Sequence, residues 1–445
     1  MGEAAPDEYV VIIALSFCLT FGAYFAVANQ LTSILGQQGF YILSIIQGSF
    51  LVGTFLGQLV HDALGAQKMF LLGASSFTIF SLAICLTIDT PESRWVLYPV
   101  AAYCGLCASW MWCAQGSYVS SLFTSDKQGV GFGKFNSIFS LNGVWGFLLL
   151  LVLAAQGVKQ ATIMWIFFVF SAVASISFFL VKKWPRELLL SIEAGQAGDH
   201  KKKVSLCQQC FAVGRMFYNK NMLLQAPLAF WCGNIEGMYW GQIAAEYGMP
   251  SIIAACFLTQ SIVALGSSVL LGRFADKYGG MKALAVCLLG AAGFNFATGV
   301  GIDIKLTTQL NPVNNNTMLN QYEGGTEVGR WCYLLLGAFG FGISDFPAQA
   351  IMRAQYHKIW EHDVEKLEAA MPNMLSVLMA GTLTAVLYGG YVHYWVAIGI
   401  NSCLAIIALI CQYFLPSFVN RTGDHVNPNL NAPSVVVTDD VDMEF

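Results

Sequence analysis

Twelve runs of apolar residues, each long enough to cross a lipid bilayer as an α-helix, constrain this chain more than any other feature. They cover residues 9–35, 39–60, 67–88, 95–123, 131–156, 160–181, 222–247, 250–272, 280–303, 331–352, 372–390 and 392–416, and are numbered spans one to twelve. A membrane-crossing helix needs about 20 apolar residues, whereas a barrel strand needs only about 10 of alternating polarity. These runs are apolar on all sides. They predict an all-α membrane protein with twelve transmembrane helices.

The scarcity of charge supports the same conclusion. Only 11% of the 445 residues are charged, against about 25% in an average soluble domain. This fraction is too low to cover the surface of a secreted, nuclear or cytosolic enzyme of this length. The net charge of -4 is also too small to indicate a nucleic-acid partner.

The basic residues predict the orientation. If the N-terminus is cytoplasmic, 18 of the 22 lysines and arginines fall in inner segments, so the positive-inside rule places both termini in the cytoplasm. The predicted domains are an N-terminal six-helix half (1–181), a basic cytoplasmic linker (182–221), a C-terminal six-helix half (222–416) and a disordered acidic tail (417–445). Asn315 begins a glycosylation sequon in the longest outer loop.

The loops after spans two and eight repeat one pattern, 215 residues apart at their first glycine. Each has a glycine at the helix end, an aspartate, a second glycine and a lysine. Glycine permits a tight turn between two helices, and a carboxylate can cap a neighbouring helix or pair with a base. We therefore assign a gating role to these loops. Their candidate residues are Asp62 and Gly65 in the first copy, and Gly272, Asp276, Lys277 and Gly279 in the second.

This pattern resembles the signature loop of the major facilitator superfamily. The second copy matches closely, while the first has one extra residue before Asp62 and lacks the usual base after it. The resemblance implies two pseudo-symmetric six-helix halves that work by alternating access. The stretches 110–118, 133–139 and 342–345 further resemble the Unc-ninety-three-like branch, which is described as ion-channel regulatory proteins.

Two acids lie well inside predicted spans, Glu236 in span seven and Asp345 in span ten. A charge at the bilayer centre costs about 2.5–3.5 kcal/mol on insertion scales, so such acids indicate function. No lysine or arginine lies in the middle of a predicted span. We therefore expect water, polar side chains, a cation or a proton to partner the acids.

The facilitator resemblance implies that spans one, four, seven and ten line a central cavity. The candidate residues for binding a substrate or ion there are Asn29, Gln30, Gln115, Asn234, Glu236, Trp240, Asp345 and Gln349. Asp345 and Gln349 are four residues apart and share a helix face. Trp240 beside Glu236 could hold an organic cation. For Asn29, Gln30 and Gln115 the alternative is a simple bridge between helices.

Two functions remain open at this point. The first is a secondary transporter of a small solute or ion. The second is a non-transporting accessory protein that binds a membrane protein and regulates an ion channel or trafficking, in the plasma membrane or an endolysosomal membrane. The sequence has no phosphate-binding loop, HExxH zinc pair or nucleophile elbow. An enzyme, a metal site and a cofactor are therefore not expected.

Overall fold

A computed structural model describes residues 6–123, 128–181, 214–243, 250–310, 318–323, 327–360 and 364–415. The N-terminal helices are α1 (Pro6–Ala28), α2 (Leu31–Leu35), α3 (Gln37–Leu64), α4 (Ala66–Thr87), α5 (Leu97–Leu122), α6 (Gln128–Ala155) and α7 (Gln160–Ser177). The C-terminal helices are α8 (Lys220–Gly237), α9 (Pro250–Tyr278), α10 (Gly280–Asp303), α11 (Glu327–Trp360), α12 (Val364–Gly389) and α13 (Tyr394–Phe414). Most of the predicted linker and all of the predicted tail lie outside these ranges.

Eleven helices within the described ranges are long and apolar enough to cross a membrane, which confirms eleven of the twelve predicted spans. Span seven is the exception. It contains α8, whose N-terminus is capped by the Asn219 side chain, and a π-helix at Met238–Ile243. Polar residues, including Asn234 and Glu236, lower the apolar content of this region. The polar groups that mark a candidate site therefore also weaken the hydropathy signal.

The segment after α10 differs from the predicted loop. Strands β1 (Lys305–Leu310) and β2 (Met318–Glu323) form an antiparallel pair, in a register that runs from Lys305 opposite Glu323 to Leu310 opposite Met318. The predicted outer loop therefore contains a short strand pair, while the predicted membrane-crossing segments are helical. The segment is too polar to extend a membrane helix, and pairing two strands satisfies its backbone hydrogen bonds. Asn315 lies between the strands, outside the described residues.

The repeated loops have matching backbones. Gly65 alone separates α3 from α4, and Gly279 alone separates α9 from α10. Their φ angles are +74° and +95°, in the region that favours glycine. Each glycine N–H also donates to the carbonyl four residues earlier, His61 or Ala275, at 2.7 and 2.9 Å. The same turn thus occurs at both copies of the sequence motif.

The most extensive packing between the N-terminal and the C-terminal helices involves two helix pairs: α3 packs on α12, and α6 packs on α9. In the first pair, the Thr54 and Ser376 hydroxyls lie 2.5 Å apart. In the second, Ser137 Oγ donates to the Leu265 carbonyl at 2.7 Å. Each of these polar contacts links an N-terminal helix directly to a C-terminal helix.

Helices α8 and α12 approach each other through glycine. A Cβ atom at Gly233 would overlap the Leu378 carbonyl oxygen, and one at Gly381 would overlap that of Phe230. Only a residue without a side chain permits this separation, a recurrent device in membrane helix packing. The contact fixes α8, and with it Glu236, against α12.

Candidate functional site

Helix α11 carries a row of polar side chains along one face. Gln349 Nε2 donates to Asp345 Oδ1 at 2.8 Å, and an Arg353 guanidinium nitrogen donates to Gln349 Oε1 at 3.5 Å. The three residues follow each other at intervals of four, so each lies one turn from the next. Their side chains are buried, with 1% of Asp345 and 4% of Arg353 exposed. Asp345 and Gln349 share a helix face, as their spacing predicts, and Arg353 extends the row.

The expectation that Arg353 lies in an inner segment outside span ten is wrong. Span ten was predicted to end at residue 352, but α11 continues to Trp360. The additional two turns keep Arg353 in the buried part of the helix rather than in a loop. A spacing of four from Asp345 through Gln349 to Arg353 was visible in the sequence. Hydropathy alone placed the arginine outside the span.

Glu236 joins this cluster from α8. Its side chain is 6% exposed and interacts electrostatically with Asp345 and Arg353. Cys232, one turn earlier on α8, also lies within electrostatic range of both acids. The structure thus brings together the two intramembrane acids that the sequence analysis identified separately. Glu236, Asp345, Gln349 and Arg353 are called the charged cluster below.

The charged cluster is incompletely paired. Glu236 Oε2, Asp345 Oδ2 and one terminal nitrogen of Arg353 have no hydrogen-bond partner within the described ranges. With all three groups ionised, two carboxylates and one guanidinium carry one net negative charge. An isolated charge in a low-dielectric interior is expensive, so this arrangement favours uptake of one cation or one proton.

An aromatic wall from the N-terminal helices faces Arg353. The guanidinium carbon lies 5.4 Å from the centre of the Trp112 ring on α5. Phe139 on α6 contacts both Trp112 and Phe346, with ring centroids 5.5 and 5.6 Å apart. The cluster therefore has charged groups on α8 and α11 and aromatic faces on α5 and α6. Trp112 is not among the site residues predicted from the sequence.

The remaining candidates on α5, on α8 and in the π-helix after α8 lie in different surroundings. Asn234 accepts a hydrogen bond from the Tyr388 hydroxyl at 3.0 Å, which links α8 to α12. Trp240 packs on Phe25 of α1, with ring centroids 4.9 Å apart. Gln115 is buried on α5, and its amide nitrogen has no partner in the part of the chain described.

Asn29 and Gln30 are buried at the C-terminal end of α1. Gln30 Nε2 donates to the Ala26 carbonyl at 2.5 Å, and Gln30 Oε1 accepts from Gln160 Nε2 at 2.6 Å. Both polar ends of Gln30 are therefore occupied by contacts that join α1 to α7. This geometry favours the bridging alternative for Gln30.

We predict that Gln30→Leu lowers thermal stability without weakening the binding of a cation. Loss of the amide removes the hydrogen bond to the half-buried Gln160 side chain, which costs about 1 kcal/mol. Melting of the purified protein and a cation titration would measure the two effects separately. Gln30→Glu keeps an acceptor for Gln160 and serves as the matched variant. A loss of cation affinity without a loss of thermal stability would contradict this prediction and support a role of Gln30 in binding.

The gating-loop candidates lie at or near the turns between α3 and α4 and between α9 and α10. Lys277 lies over the ring of Tyr278 at 5.0 Å. A Cβ at Gly280, the first residue of α10, would lie 2.6 Å from the Gln355 amide nitrogen on α11. The second loop is therefore packed against the helix that carries the charged cluster. Gly272 and Asp276 belong to α9, and Asp62 belongs to α3 with its side chain outside the described set.

Comparison with known proteins gives concordant results. The family model described as Major Facilitator Superfamily matches residues 9–358. UNC93-like protein 3 of Arabidopsis thaliana is 26% identical over 262 residues, which cover 55% of this chain and 54% of the plant protein. Protein unc-93 homolog A of Bos taurus is 28% identical over 167 residues, 35% of each chain. The chain thus spans about half, or less, of the length of these curated relatives.

One solved structure covers nearly the whole chain. It is the proton:xylose symporter XylE bound to 6-bromo-6-deoxy-D-glucose, with a TM-score of 0.62 over 92% of this chain and 96% of the symporter. The two sequences are 12% identical, so the likeness concerns the fold. The family model covers well over half of the chain. The protein is therefore a multi-pass integral membrane protein that belongs to the Major Facilitator Superfamily.

Proposed function

We propose that this protein is a secondary transporter that moves a small solute or ion by alternating access. In this proposal, twelve helices cross the membrane as two six-helix halves and both termini are cytoplasmic. The observation that carries it is the charged cluster, which is buried where α8 and α11 meet α5. Such a cluster is costly in a membrane protein unless it performs a task.

The burial of the cluster supports alternating access in particular. Glu236 and Asp345 are 6% and 1% exposed, so a solute can reach them only if the helices around them separate. Among the described residues, the pairs α3–α12 and α6–α9 link the N-terminal to the C-terminal helices, and a side-chain hydroxyl makes a polar contact across each pair. Rocking of one half against the other would expose the cluster to each side in turn.

The ion coupled to transport is inferred from the charged groups of this chain. It is not inferred from the solved structure of similar fold, the symporter XylE. The relative is a symporter of a proton and a sugar. In this chain, an unpaired oxygen on each of two acids supports a proton or a cation as the coupled species. No comparable observation among the described residues supports a sugar.

Flux through reconstituted vesicles tests the transport proposal. Full-length protein would be placed in liposomes that contain a pH-sensitive dye, and an outward potassium gradient would set the membrane potential. We expect protons or Na⁺ to enter faster than in protein-free vesicles, at a rate that depends on the potential. Equal rates with and without protein, for both ions in both directions, would contradict the proposal.

The accessory-protein function remains a second candidate. It is supported by the UNC93-like relatives and by the first-copy loop, which departs from the facilitator pattern around Asp62. A regulator of a channel or of trafficking would form a stable complex with another membrane protein. Capture of the full chain in mild detergent, followed by identification of membrane proteins bound in stoichiometric amounts, distinguishes this function. A monomer without such a partner would count against it.

A further inference from the structure

Arg353 occupies the charged cluster in the way that a bound organic cation would. Its guanidinium is buried, lies 5.4 Å from the Trp112 ring centre and interacts electrostatically with Glu236 and Asp345. An aromatic face beside carboxylates is a recurrent site for guanidinium and ammonium groups. The protein therefore already presents one cation of this class to the site, tethered to α11.

The net charge of the cluster favours one more positive group. Two carboxylates face a single guanidinium, and Glu236 Oε2 and Asp345 Oδ2 have no hydrogen-bond partner in the described structure. Both side chains are more than nine-tenths buried. A second cation in the cluster would neutralise the remaining charge and compete with Arg353 for the electrostatic attraction of the two carboxylates.

We propose that the site binds a monovalent organic cation with a guanidinium or ammonium head group, and that Arg353 is its built-in competitor. The cation takes the position between the acids and Trp112, and Arg353 withdraws from the ring. This inference rests on the proposed transport function and specifies its substrate class. Phe139, which adjoins Trp112, and Phe346, which adjoins Phe139, supply the apolar surface for the body of such a molecule.

The aromatic wall distinguishes this proposal from an inorganic cation site. A small metal cation seeks several oxygen ligands, but one Asp345 oxygen is already bonded to Gln349. The neighbouring Trp112 offers a ring face and no oxygen. An organic cation gains from both the ring and the carboxylates, so replacing Trp112 should weaken its binding selectively.

Equilibrium binding of radiolabelled ethylguanidinium to the purified full-length protein tests the inference. Ionic strength is held constant with lithium chloride, and Na⁺ is measured in parallel. We expect Arg353→Gln to tighten ethylguanidinium binding about tenfold because the competitor is gone. We expect Trp112→Leu to weaken it about tenfold, in line with a desolvated cation–π contact, and to leave Na⁺ binding unchanged.

Conservative variants guard against misfolding. Trp112→Phe keeps a ring, so its ethylguanidinium affinity should lie between those of the wild type and Trp112→Leu. Arg353→Lys keeps the charge, so its affinity should stay within about threefold of that of the wild type. Each variant must elute as a single species in size-exclusion chromatography. An ethylguanidinium affinity that is unchanged by substitution of either Trp112 or Arg353 would overturn the inference. So would binding of glutarate that is lost in Arg353→Gln, because Arg353 would then hold an anion. Proton or Na⁺ flux without any ethylguanidinium binding would reject the organic cation and leave the transport proposal intact.

Discussion

Glu236→Gln and Asp345→Asn are each expected to reduce potential-driven proton or Na⁺ flux by about 100-fold, while the protein remains folded. Each variant removes one negative charge from the cluster and leaves one carboxylate to balance the charge of Arg353. The site is then neutral and no longer favours an added cation. A tenfold change corresponds to about 1.4 kcal/mol, so this loss requires only about 3 kcal/mol.

Initial rates in liposomes at matched protein density provide the measurement. Glu327→Gln is the control, because Glu327 lies in the first turn of the same helix as Asp345 but is exposed. Glu327→Gln removes one negative charge, as each cluster variant does, but the flux through this variant should equal that through the wild type. Full flux in both Glu236→Gln and Asp345→Asn would show that transport does not require the charged cluster.

Gly233→Ala is expected to destabilise the protein by about 3 kcal/mol, enough to lower the yield of monodisperse material severely. The added methyl group would overlap the backbone carbonyl of Leu378 rather than a side chain that could rotate away. Overpacking commonly costs about 1–3 kcal/mol, and a rigid obstacle lies at the upper end of that range. Relief would require α8 to move away from α12 and would displace Glu236.

Gly293→Ala on α10 is the matched control. A Cβ at this exposed position meets nothing within 4 Å. Alanine also has a higher helix propensity than glycine, so this variant should be neutral or slightly more stable. Melting temperatures in one detergent would compare the two proteins. Equal stability of both variants would show that α8 and α12 do not pack as closely as the structure indicates.

The sequence predicted the parts of this protein that depend on simple physical signals. Long apolar runs marked eleven membrane-crossing helices, and the cost of buried charge marked Glu236 and Asp345. The glycines of the two repeated loops marked turns that the structure contains at Gly65 and Gly279.

The missed features depend on tertiary contacts. Arg353 was assigned to a loop because hydropathy treats an arginine as solvated, whereas Trp112 and the two acids accommodate it inside the bundle. Trp112 itself is one tryptophan among eleven, and no periodic pattern distinguishes it. The strand pair after α10 depends on pairing between two short polar segments, which a reading of each segment alone does not reveal.

The contact between Ser137 and Leu265 has a consequence for how the sequence can diverge. The donor is a side chain of α6, but the acceptor is a main-chain carbonyl of α9. Every amino acid supplies that carbonyl, so another apolar residue at position 265 would preserve the bond, whereas loss of the hydroxyl at position 137 would remove it. Homologous proteins should therefore vary freely on the α9 side of this hydrogen bond and retain a hydroxyl-bearing residue on the α6 side.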